Sequence, residues 1–249
     1  MTPLLAPDMD QMETASDHSG TDRIEEKNGS SPVARRDPIR PASEGQFFQL
    51  GGVDWATYRT ISEALTGRHL HITYDRGVLE LMTISGMHGR SGHLLGLFIF
   101  VLAEEFNLPF LSFGDMTLNR EDLDRGVEPD DSYYFLNEPL VRDKIDIDLS
   151  KDPPPDLMVE IDISRSSDRR LSIYAAMKVP EVWQYNGSNL RILRLNADGI
   201  YVLTEHSRYF GSLPIQELAT FMARARETSE IVLIREFREW VREHLKQQS

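Results

Sequence analysis

Pro155-Asp156-Leu157-Met158-Val159-Glu160-Ile161-Asp162-Ile163 is the stretch whose reading decides the fold. Read with a period of two, it sets Leu157, Val159, Ile161 and Ile163 on one face and Asp156, Met158, Glu160 and Asp162 on the other. Carboxylates on a mostly buried strand repel one another and lose hydration unless a partner offsets the cost. A divalent cation is such a partner, because hard cations take carboxylate oxygens directly. Asp156 and Glu160 are four positions apart, about 13 Å along a strand. Metal–oxygen bonds are about 2.0–2.6 Å, so these two cannot share an ion, and Asp156 reads as a strand-entry residue after Pro153-Pro154-Pro155. Glu160 and Asp162 lie about 6.6 Å apart at the backbone and can converge. A third ligand must come from another strand, and Asp130, after the turn-forming Pro129 in Glu128-Pro129-Asp130, is the best candidate.

Around this strand the pattern is that of an α+β layer. Residues 57–65 predict a short helix, and 70–74 with 78–82 a hairpin around Asp75-Arg76-Gly77. Residues 92–106 are apolar nearly all round and predict a buried helix. Residues 110–118 and 128–136 predict two strands, followed by a long loop over 137–155. Ser167-Asp168 opens a helix to about Lys178. Three antiparallel strands follow over 181–185, 190–195 and 199–205, then helices over 214–224 and 230–245. The expected architecture is a mixed, mainly antiparallel central sheet flanked by helices.

Composition sets the frame. Residues 1–45 are rich in Ser, Pro, Gly and acids without any period, and read as a disordered acidic tail. Residues 46–249 are expected to form a single domain. The chain has no cysteine, which excludes disulfides and thiolate–metal centres. No apolar run is long enough to span a bilayer, and the opening Met1–Asp8 lacks the basic flank of a signal peptide. The expected setting is cytoplasmic, with no membrane partner. The formal net charge of −13 argues against tight nonspecific binding to DNA, although Arg165, Arg169 and Arg170 could form a local basic rim.

The ordered string Gly77-Val78-Leu79-Glu80-Leu81-Met82, His88, Gly114-Asp115-Met116-Thr117-Leu118, Gly126-Val127-Glu128-Pro129-Asp130, Pro155-Asp156-Leu157, Ile173-Tyr174-Ala175-Ala176 and Val179-Pro180-Glu181-Val182-Trp183-Gln184-Tyr185 resembles the Uma-type restriction endonuclease family. The resemblance covers about residues 50–220. It implies a restriction-endonuclease-like, PD-(D/E)xK fold and a Mg²⁺-dependent endonuclease, with Mn²⁺ as the alternative ion, hydrolysing phosphodiester bonds of nucleic acid, DNA in first place. It further implies that Asp130 and Glu160 hold the metal and that a lysine orients or activates the attacking water.

This chain departs from that pattern at the lysine. The usual slot holds Asp162, and the alternative slot on the next helix holds Arg170. Arginine can orient a phosphate through its planar fork but cannot give up its proton as a base. Arg170 and Tyr174 are four apart and share a helix face. His88 stands at the family's histidine position, either as an auxiliary group for phosphate or water or as a helix-start residue packed on a loop. Asp162 reads equally as a ligand or as a counter-charge to Arg169 or Arg170. Glu80 reads as an exposed strand position with an additional acid as its alternative, Tyr174 as core, and His69 and His71 as structural or exposed. The rival function is a catalytically reduced member of the fold acting as a binding or interaction module, with a homodimer as its assembly.

Overall fold

The computed structural model describes residues 46–163 and 167–248. The expected disordered tail over 1–45 and the rim residue Arg165 lie outside the described residues.

The strands form two sheets. The first has five strands in the order β1 (Phe47–Gly51), β3 (Val78–Thr83), β2 (Leu70–Asp75), β6 (Arg125–Val127), β5 (Leu118–Arg120), all antiparallel. The second has six, in the order β11 (Tyr201–Thr204), β10 (Leu190–Leu195), β9 (Glu181–Tyr185), β8 (Leu157–Ile161), β7 (Asp131–Tyr134), β4 (Leu111–Ser112). Only β8 and β9 run parallel there, joined across α4 (Leu171–Ala176) as a parallel crossover requires. The α+β expectation holds, with the sheet divided in two.

Turn chemistry sets the hairpin that carries one side of the site. Arg76 and Gly77 both have positive φ, 45° and 88°, the backbone of a two-residue type I′ turn. This pairs Asp75 with Val78 and fixes the β2–β3 register.

Two segments that read as single strands are in fact crossings between the sheets. Within 110–118, β4 belongs to the second sheet and β5 to the first, with Gly114 at φ 62° between them. Within 128–136, β6 ends at Val127 in the first sheet and β7 starts at Asp131 in the second. Pro129 stops the ladder because it has no N–H to donate. The acidic triplet Glu128-Pro129-Asp130 is therefore the bridge between sheets.

β8 is buried along its whole length. Leu157, Val159 and Ile161 join the main core beneath α2 (Gly86–Glu105), α5 (Leu218–Ala223) and α6 (Glu230–Gln248), whereas Met158 packs with Ile173, Tyr174 and Met177 of the α4 region. Helix α1 (Trp55–Leu65) covers the first sheet, its Tyr58 stacking on Tyr74 with ring centroids 4.5 Å apart.

Helix α2 starts six residues before the predicted 92. Ser85 caps it by accepting from the His88 backbone N–H at 3.3 Å, so the glycines at 86 and 89 sit in helix rather than loop. Gly96 lets the same helix lie close to β7, since a Cβ there would fall 2.8 Å from the Tyr133 hydroxyl. The predicted long loop holds a short helix, α3 (Glu138–Val141). Among the described residues no helix is long and apolar enough to cross a membrane.

Candidate active site

Five elements converge where the two sheets meet. His71 comes from β2, His88 from the first turn of α2, Asp130 from the bridge before β7, Glu160 from β8 and Arg170 from the 3₁₀ turn Asp168–Arg170 that leads into α4. All five side chains are buried: 3% and 6% of the two imidazoles is exposed, 4% of Asp130, 2% of Glu160 and 8% of Arg170.

Asp130 is the hub. Its Oδ2 accepts from the backbone N–H of Ile161 at 2.5 Å, which fastens it beside Glu160. Its Oδ1 lies 2.6 Å from His88 Nε2 and 3.0 Å from His71 Nε2. Burial works to raise the Asp130 carboxyl, but the hydrogen bond from His88 and the charges of His71, His88 and Arg170 outweigh it and hold it below the ordinary range. His71 is shifted down, chiefly by burial, so the neutral ring is favoured despite Asp130 beside it.

Glu160 is held differently. Arg170 Nη1 donates to its Oε2 at 2.8 Å and to the Glu128 carbonyl at 3.3 Å. The Tyr174 hydroxyl donates to Oε1. Burial pushes the Glu160 carboxyl up, with Arg170 pulling against it and Asp130 adding repulsion. Tyr174 lies wholly in the core and still bonds the site acid.

The other acids separate by role. Glu128, next to Asp130 in sequence, turns away: it accepts from Thr117 Oγ1 at 2.7 Å and from the Ile72 N–H at 2.9 Å, tying β2 to the segment before β5. Asp162, just past β8, accepts from the Ser167 N–H at 2.9 Å, and burial raises its carboxyl. Arg169 bonds Glu80 at 3.1 Å rather than Asp162. A cavity of about 20 Å³, room for one water or ion, is lined by His71, Glu80, Glu160, Asp162 and Arg170.

Of the residues singled out from sequence, Asp130, Glu160, Arg170 and His88 thus meet at one buried point, with Asp162 on the adjoining cavity wall. His71 was read as structural or exposed, and it is the residue that sequence reasoning missed. Its signal was a histidine on a strand paired with the family's Glu80 strand. Its partners, however, come from α2 and the inter-sheet bridge, which are 17 and 59 positions away.

A divalent cation fits this donor set. His71 Nε2, His88 Nε2 and an Asp130 oxygen lie within 4.8 Å of one another, and they are the group able to hold a metal among the described residues. Glu160 lies outside that trio, with both oxygens already bonded.

The Uma2 family model, described as "Putative restriction endonuclease", matches residues 55–224. The chain is also similar to the crystal structure of "a putative nuclease belonging to DUF820" from Anabaena variabilis, with 12% identity, a TM-score of 0.41, and coverage of 68% of this chain and 90% of that one. No curated protein matches. The family match takes in well over half of the chain, including His71, His88, Asp130, Glu160 and Arg170: the chain belongs to the Uma2 family of restriction-endonuclease-like proteins.

Proposed function

We propose that this protein is a divalent-metal-dependent endonuclease that hydrolyses phosphodiester bonds of nucleic acid, with DNA as the substrate and Mg²⁺ or Mn²⁺ as the ion. The observation that carries the reading is the fastening of Asp130 to the backbone of Ile161 at 2.5 Å. That bond brings two acids thirty positions apart to one buried point, and the Uma2 membership supports it.

When bound, the cation supplies charge stabilisation at the phosphoryl oxygens and a more acidic water. Asp130 would anchor it, with His88 Nε2 2.6 Å from the same carboxylate. Arg170 is the phosphate-binding group. Its planar fork matches phosphate oxygens, and its Nη1 holds Glu160 Oε2 at 2.8 Å. Tyr174 holds the other Glu160 oxygen in place. Asp162 stands on the cavity wall as an auxiliary acid. The same residues account for the buried location, because water-poor surroundings strengthen each of these interactions.

The test is nicking of supercoiled plasmid by chelator-treated protein with and without Mg²⁺ or Mn²⁺. Nicking is expected only with the ion. Arg170→Lys, checked for folding by its thermal melt, is expected to keep or raise the rate, since lysine restores the family's own residue type. A folded but inactive lysine variant would contradict the role given to Arg170, and ion-independent nicking would contradict the role given to the metal.

A further inference from the structure

His71 carries an unresolved contact. Its Nδ1 lies 3.2 Å from the Glu128 carbonyl oxygen and its Nε2 lies 3.0 Å from Asp130 Oδ1. Both neighbours are acceptors. A neutral imidazole has one N–H and one lone pair, so either tautomer satisfies one oxygen and aims a lone pair at the other. The ring is 3% exposed, so protein atoms rather than bulk water meet both of its nitrogens.

A bound cation satisfies both contacts of the neutral ring. If Nδ1–H donates to the Glu128 carbonyl, the Nε2 lone pair and the Asp130 oxygen both point at a shared cation. A backbone carbonyl on the far ring nitrogen is the usual device for fixing the tautomer of a metal-binding histidine. His88 Nε2 contacts the same oxygen from the other side at 2.6 Å, with the two imidazole centroids 5.9 Å apart. Glu160, the acid that would make the set richer in oxygen, is engaged by Arg170 and Tyr174.

We propose that His71, His88 and Asp130 form a two-histidine, one-carboxylate centre selective for a first-row transition-metal ion over Mg²⁺, with His71 as a direct ligand. This rests on the metal-dependent reading above and narrows it. Mg²⁺ seeks oxygen donors in near-octahedral array and seldom dehydrates for nitrogen. Imidazole favours later first-row ions such as Co²⁺ and Zn²⁺, which a given nitrogen-containing site also binds more tightly than Mn²⁺.

The test is equilibrium binding of Co²⁺ and of Mg²⁺ to the full chain, wild type beside His71→Gln, with exposed His93→Gln as the control. Wild type is expected to bind Co²⁺ at least about tenfold more tightly than Mg²⁺. His71→Gln is expected to lose about tenfold or more of its Co²⁺ affinity, with little change for Mg²⁺ and none for the control. Equal Co²⁺ affinity in wild type and folded His71→Gln overturns the inference. Should that variant not fold, electron spin-echo modulation of Mn²⁺-loaded wild type decides: nitrogen coupling from ligated imidazole is expected, and its absence overturns the inference. A nitrogen-ligated ion without plasmid cleavage would leave this centre standing and sink the nuclease reading. Cleavage driven by an ion with no nitrogen coupling would do the reverse.

Discussion

The two ends of strand β8 each bury an acid, and the partners of those acids differ in kind. Before the strand, Asp156 Oδ2 accepts from the Phe135 and Asn137 N–H groups at 2.8 and 2.9 Å, and Oδ1 accepts from Asn137 Nδ2 at 3.2 Å. These donors are neutral, and the bonds tie the corner after β7 to the entry of β8. Near the exit, Glu160 faces a charged guanidinium and a phenol, with Asp130 and two imidazoles beside it. A buried carboxylate saturated by neutral donors is a strut. One set among ionisable groups, with a lone-pair conflict next to it, is where a protein does chemistry.

That contrast can be broken or sharpened by substitution. The largest effect on stability is expected at the exit. Glu160→Gln strands the buried Arg170 charge, and removing one partner of such a pair costs about 3–5 kcal/mol. Urea unfolding of the variant measures it, and the double change Glu160→Gln with Arg170→Met should recover most of the loss. A cost below about 1 kcal/mol would mean that the pair behaves as a solvated one and that the contrast between the ends is overstated. A smaller effect is expected at the entry. Asp156→Asn keeps its shape but turns a donor toward N–H groups, so it should cost about 1–3 kcal/mol. Its nicking rate per folded molecule should match wild type. A folded Asp156→Asn protein without activity would erase the distinction between strut and site.

Much of the layout was legible because local rules set it. The alternation in residues 157–163 found β8, Arg76-Gly77 found the hairpin, and the apolar run found most of α2. What failed did so for physical reasons. The run 110–118 has strand-like composition throughout, yet Gly114 turns the chain from one sheet to the other. Which sheet a residue joins depends on partners far along the chain. The glycines at 86 and 89 masked a helix start that Ser85 alone announces. At the site, Asp130 and Glu160 stood out because acids on strands demand an explanation. His71 did not, because a histidine on a strand is ordinary until His88 and Asp130 are folded against it. Glu128, equally prominent in sequence, ties β2 instead, because its partners Thr117 and the Ile72 N–H lie on the first sheet's side of the bridge.

The most direct check is a single plasmid-nicking series with chelator-stripped wild type, Asp130→Asn and Asp156→Asn, each given Mn²⁺ back and normalised to folded protein. Wild type and Asp156→Asn should regain the same rate, and Asp130→Asn should stay slower by a factor of about 10²–10³. Equal recovery by all three would contradict the assignment of Asp130 as the anchor of the metal centre.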